Sequence, residues 1–66
     1  MNQRIVEAWD AIKQAVAEID VDLLKNAKGN ASAGVRARKG LRSLRTNLSE
    51  LVKATIEEEK SSKEEE

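Results

Sequence analysis

The 66-residue sequence contains no cysteine, histidine, proline, tyrosine or phenylalanine, and Trp9 is its only aromatic residue. Each absence removes a class of answer. Without cysteine there is no disulfide framework, and without cysteine or histidine there is no thiolate or imidazole metal site. Lack of cysteine is compatible with a reducing compartment. Without interleaved aromatics there is no stacking platform for single-stranded nucleic acid. Catalysis loses its usual candidates, because Ser32, Ser43 and Ser49 have no base to activate them. The acid clusters Glu57 to Glu59 and Glu64 to Glu66 are too flexible to cage a hard cation. The expectation is therefore a non-enzyme with no cofactor, metal or small-molecule substrate. No apolar run approaches the ~20 residues of a membrane span, and no signal peptide is visible. A soluble, cytoplasmic protein without a membrane partner is expected.

What remains is rich in alanine, leucine, lysine, arginine and glutamate, the composition of helix bundles and coiled coils. A chain this short is marginal as a lone core, and with disulfides and metals excluded oligomerisation is the natural source of further burial. The spacing predicts a helix over residues 3–27, a turn over 26–30 and a second helix over 31–57. In the first helix Ile5, Trp9, Ile12, Val16, Ile19 and Leu23 alternate steps of four and three, an unbroken heptad seam. Ala8 and Ala15 widen it on one side, Val6 and Leu24 on the other. Val21, on the polar side between Asp20 and Asp22, is a misfit. Gly29 is placed to cap the first helix in a left-handed conformation, and Asn30 to cap the start of the second. So short a connection makes the helices antiparallel neighbours. In the second helix Ala37, Leu41, Leu44, Leu48, Leu51 and Thr55 form the matching seam, broadened by Val52 and Ile56.

Gly34 and Gly40 each cost roughly 1 kcal/mol relative to alanine within a helix. Close approach of the partner helix or a ligand backbone explains them better than a plain weak point. The expected fold is all-α, an antiparallel two-helix hairpin over residues 1–57, with residues 58–66 an acidic, disordered tail. Both apolar faces are broader than one hairpin can cover. Two hairpins packed face to face as a homodimer would give a four-helix bundle, with Ile5, Trp9, Ile12, Val16, Leu44, Leu48, Leu51 and Val52 at the contact. Trp9, level with Leu48 to Val52, could serve that contact or cover its own hairpin.

The net charge of zero conceals three blocks. Residues 1–24 hold two cations and five acids, and residues 54–66 hold two cations and six acids. Residues 25–53 hold eight cations against Glu50 alone, a net charge of +7. No acid falls between Lys25 and Arg45, and Arg36, Arg38, Lys39, Arg42 and Arg45 crowd into ten positions. At 100° per residue, Arg38, Arg42 and Arg45 share a sector of ~60°, with Lys39 and Lys53 beside it. The stripe borders the apolar face and runs alongside Glu18, Asp20 and Asp22 of the first helix, which could neutralise part of it. Surface ion pairs contribute only ~0–1 kcal/mol each, a poor reason to collect so many arginines. Phosphate binding is the better one, because guanidinium forks match phosphate geometry and a helix start offers free amides. Lys28, Asn30, Arg36, Arg38, Lys39, Arg42, Arg45 and Lys53 are the candidate contacts to duplex DNA. Helix-turn-helix spacing and zinc ligands are lacking, so binding is expected to be sequence-nonspecific. The alternative is a helical oligomerisation module that docks a protein and binds no nucleic acid.

The stretch Gly29-Asn30-Ala-Ser-Ala-Gly34-Val-Arg-Ala-Arg-Lys39-Gly-Leu-Arg resembles the segment "GN-x-A-A-G-x-R-A-R-K-A-L" of the bacterial linker-histone-like family, typified by the chlamydial histone-like nucleoid protein. The likeness extends over roughly residues 5–60 and is sharp over 29–42. It implies a small α-helical, DNA-associated, nucleoid-located protein, and points to Gly29, Asn30, Gly34, Arg36, Arg38 and Lys39. One departure stands out. The chlamydial members add a long lysine- and alanine-rich tail, whereas this sequence closes on glutamates, so condensation of DNA by a basic tail does not carry over.

Overall fold

The computed structural model describes residues 2–65, with side chains as far as Ser61. Met1 and Glu66, the outermost positions of the expected hairpin and tail, lie outside the described residues. Two helices account for almost all of the rest: α1, Gln3–Ala27, and α2, Ala31–Glu65. They pack antiparallel, and the all-α hairpin expected from the seams is the fold. The molecule measures 55 × 16 × 12 Å, its length that of α2 at ~1.5 Å per residue.

Short polar residues set the helix ends. The Asn2 side-chain oxygen accepts the Ile5 amide at 3.2 Å and opens α1. At the other end Gly29 has φ +102°, a left-handed conformation that glycine adopts without the steric cost of a Cβ. The Gly29 amide then donates to the Asn26 carbonyl at 2.9 Å, and the Asn30 amide to the Lys25 carbonyl at 3.1 Å. These two bonds are the Schellman closure. Asn30 starts α2 directly, its side-chain oxygen accepting the Ala33 amide at 3.0 Å. Asn26 spans the turn by donating from Nδ2 to the Asn30 carbonyl at 3.2 Å.

The second helix runs on to Glu65, past the end expected at residue 57. Beyond Gly40 the chain has no glycine or proline to stop it, and helix-favouring Glu and Lys recur at helical spacing. The extension is tied at its root. Arg4 Nη1 lies 3.0 Å from Glu57 Oε2, and Asn2 Nδ2 donates to Glu58 Oε2 at 2.7 Å. Neither helix, over the described residues, is apolar enough over a sufficient length to cross a membrane.

The core differs from the expected seams in an instructive way. Ile12, Ile19, Ala33, Ala37 and Ala54 are buried, and Ile5, Ala8, Ala15, Leu44 and Leu51 are half-buried. Each seam is thus shifted toward its small-residue edge. In α1 the line runs through Ala8 and Ala15 where Trp9 and Val16 were expected. In α2 Ala37 keeps its expected place, and Ala33, Gly40 and Ala54 take the place of Leu41, Leu48 and Thr55. Thr55 turns its hydroxyl to the Val52 carbonyl at 2.7 Å, within its own helix. Small side chains let the two helix axes come close, and dispersion falls off steeply with separation. The glycines carry this furthest. A Cβ built on Gly40 would stand 2.8 Å from Ile19 Cγ1, and one on Gly34 would collide with the Asn26 side-chain amide. Close approach of the partner helix is therefore what these glycines permit.

The large apolar side chains consequently remain outside. Trp9 and Val16 are each 49% exposed, and Leu23, Leu41, Leu48, Val52 and Ile56 are comparably open. They form one long apolar face across both helices. An open groove of about 210 Å³ runs down it, lined by Val16, Ile19, Leu23, Leu41 and Leu44, with Asp20 at its edge. Val21, the misfit, is half exposed.

Candidate nucleic-acid interface

A row of cations runs along α2 beside this open face. Arg45 follows Leu41 by four residues and precedes Leu48 by three, so it adjoins both on the helix surface. Arg38 stands one turn before Leu41, with Arg42 and Lys53 one sector further round. From Arg38 to Lys53 the stripe covers about 22 Å of helix. All these side chains belong to exposed residues, as do Lys39 and Lys28. Among the described residues, none of Lys28, Arg38, Lys39, Arg42, Arg45 and Lys53 forms an ion pair. The Arg38 guanidinium leans back along the helix, with Nη1 3.3 Å from where a Cβ on Gly34 would sit.

Of the expected contacts, Arg36 is held by a carboxylate and Asn30 also serves as a helix cap. Arg36 Nε donates to Asp22 Oδ1 at 3.1 Å, across to α1, and Asp22 is the more covered partner. Of the three α1 acids expected beside the stripe, only Asp22 pairs with it among the described residues; Glu18 and Asp20 do not. Asn30 spends its side-chain oxygen on the Ala33 amide. It shapes the start of α2, and a phosphate, itself an acceptor, would call on the Nδ2 donor of Asn30 instead.

The expected oligomer residues divide in the same fashion. Trp9, Val16, Leu48 and Val52 lie on the open apolar face. Ile5, Leu44 and Leu51 straddle its edge, half-buried. Ile12, 3% exposed, is sealed inside its own hairpin and takes no part in that face. Sequence reasoning missed the Arg4–Glu57 and Asn2–Glu58 ties. The only signal for them was the antiparallel register, which sets residues whose numbers sum to about 60 at the same height.

The assembled surface is a two-sided strip: an open apolar face, and along its α2 rim a set of exposed cations that no carboxylate answers among the described residues. A family model for histone H1-like protein Hc1 matches residues 7–61. The chain belongs to that family. The match takes in the turn, nearly all of α1 and every cation of the stripe. Histone H1-like proteins are a DNA-packaging, non-enzymatic kind of protein. No curated protein and no solved structure matches the chain.

Proposed function

We propose that this chain is an architectural protein that binds duplex DNA without sequence preference, laying the exposed face of α2 along the phosphate backbone. Arg38, Lys39, Arg42, Arg45 and Lys53 make the contacts, and Lys28 adds charge at the turn. The observation that supports this most is their common exposure without a carboxylate partner among the described residues, in a chain whose net charge is zero. Arg36 contributes field rather than a direct contact, since Asp22 holds it. A nucleoid location in the cytoplasm goes with the activity. The working unit is a homodimer, a four-helix bundle in which two open apolar faces cover each other.

Five phosphate contacts per hairpin give log K a slope of about −4.5 against log salt, a loss of several hundred-fold between 50 and 200 mM. Replacing Arg38, Arg42 and Arg45 together by glutamine lowers the slope to about −2 and weakens all duplex sequences alike. An unchanged affinity defeats the assignment of these side chains. The exposed Trp9–Val16–Leu48–Val52 face favours a second reading, an oligomerisation module with no nucleic-acid partner. Absence of DNA binding at low salt, alongside firm self-association, selects that one.

A further inference from the structure

The open face carries both a projection and a hollow. Trp9, the largest side chain on it, stands half exposed on α1. The groove between Val16, Ile19, Leu23, Leu41 and Leu44 lies nearer the turn, about ten residues further along α1, or roughly 15 Å of helix rise. Trp9 does not line the groove of its own chain. Asp20 sits at the groove's edge and forms no ion pair among the described residues. An apolar hollow with one acceptor at its rim suits an indole, which is apolar except for a single N–H that needs a partner once covered.

We infer, resting on the dimer proposed above, that the groove receives Trp9 of a second copy and that the two turns lie at opposite ends. A twofold axis lying across the face exchanges positions at equal distances on either side of it. Seating each Trp9 against the partner's Ile19 puts that axis midway between them, at about residue 14 of α1. The middle of α1, Gln3–Ala27, is residue 15. The register that seats both indoles therefore nearly coincides with the one that overlaps the two faces completely. These are independent requirements, and they agree. Over the 25 residues of α1 and the 16 Å width of the molecule the faces cover roughly 600 Å² per copy, about 1,200 Å² in all, which reaches the range of specific interfaces.

The other twofold, along the bundle, keeps every residue at its own height. It sets the groove of one copy over the groove of the other. Two hollows then face each other, and their linings lose the dispersion contacts that a filled groove supplies.

The consequence for function lies in where the cations go. With the axis across the face, α1 rests on α1 and α2 on α2. Both basic stripes then lie on one side of the bundle, related by a twofold perpendicular to that side. Duplex DNA has twofold axes perpendicular to its own, so one duplex meets the two stripes equivalently. The contacts of Arg4 with Glu57 and of Ile19 with Gly40 set about residue 46 of α2 level with the axis, so Arg45 comes close to its own symmetry mate. Like charges so placed weaken the free dimer, and phosphates relieve them. DNA binding and dimerisation therefore strengthen each other by one common factor.

The absence of cysteine allows labels to be placed singly on the full chain. Pulsed electron resonance on labelled Lys28→Cys measures the distance between turns, expected at about 40 Å, twice the rise from residue 14 to 28. Labels on Lys13→Cys, beside the axis, are expected within about 20 Å of each other, the axes of packed helices being 8–10 Å apart. A Lys28→Cys distance of about 15–25 Å places the turns together and overturns the arrangement. A long Lys13→Cys distance overturns the register. The seating of the ring is tested by mixing. Trp9→Ala lacks the projection and Leu41→Trp fills the hollow, so each alone should dimerise at least about tenfold more weakly than the parent chain by sedimentation. Their equimolar mixture should associate more tightly than either alone, because one intact indole then meets one intact groove. No gain on mixing overturns the seating of Trp9. None of these measurements uses DNA. A chain that stays monomeric overturns the dimer while leaving phosphate binding to its own salt-slope test.

Discussion

Gly40 is where the packing of this hairpin can be put to a quantitative test. Judged by helix propensity alone, Gly40→Ala should stabilise α2 by about 1 kcal/mol. The structure opposes that gain. The new methyl carbon would stand 2.8 Å from Ile19 Cγ1 and 3.3 Å from Cδ1, where comfortable carbon contacts lie at about 3.5–4.0 Å. Ile19 is only 7% exposed, so it has little room to yield. Overpacking of this kind costs about 1–3 kcal/mol. The net expectation is a loss of about 1 kcal/mol. Ile19→Ala removes both offending atoms, and in that background Gly40→Ala should recover its propensity gain. The double-mutant cycle should thus show a coupling of about 2 kcal/mol. The assay is urea unfolding followed by helical circular dichroism, at one fixed protein concentration so that association does not alter the comparison. If Gly40→Ala stabilises the chain equally in both backgrounds, the glycine is a mere weak point and close approach is not its purpose.

Four further outcomes are expected. Gly29→Val puts a β-branched side chain at φ +102° and should lower stability by at least about 1–2 kcal/mol in the same urea assay, since no rearrangement of neighbours relieves backbone strain. Asn30→Ala should cost about 1 kcal/mol through loss of the cap on the Ala33 amide, while Asn30→Gly should cost a few tenths. Arg36→Gln should change DNA affinity much less than Arg42→Gln in a shift assay, and a larger effect would show that the Asp22 pair opens on binding. Trp9→Ala should cost the hairpin about 1–2 kcal/mol, because half of the ring is covered within it, and should also raise the concentration at which sedimentation shows self-association.

The local features were legible in the amino acids because each depends on residues next to one another. Asn2 and Asn30 are caps because their short side chains reach an amide three residues on. Gly29 turns the chain because it lacks a Cβ. Four-and-three spacing declares two amphipathic helices, and a turn of a few residues obliges them to be antiparallel. The charge blocks, and the likeness of residues 29–42 to a histone-like segment, were likewise available from order alone.

Tertiary structure decided which edge of each broad apolar face turns inward. Spacing could not, since Trp9 and Ala8, or Leu41 and Gly40, occupy neighbouring positions and either edge satisfies the heptad. Burial by size favours the large residues; close packing of two helices in isolation favours the small ones, and the small ones won. The same choice left Trp9, Leu41 and Leu48 outside, set Arg36 against Asp22, and left the rest of the stripe without a carboxylate among the described residues. Which cations are spent inside the fold and which stay open depends on the register between helices, and register is a property of the packed pair, not of either sequence segment.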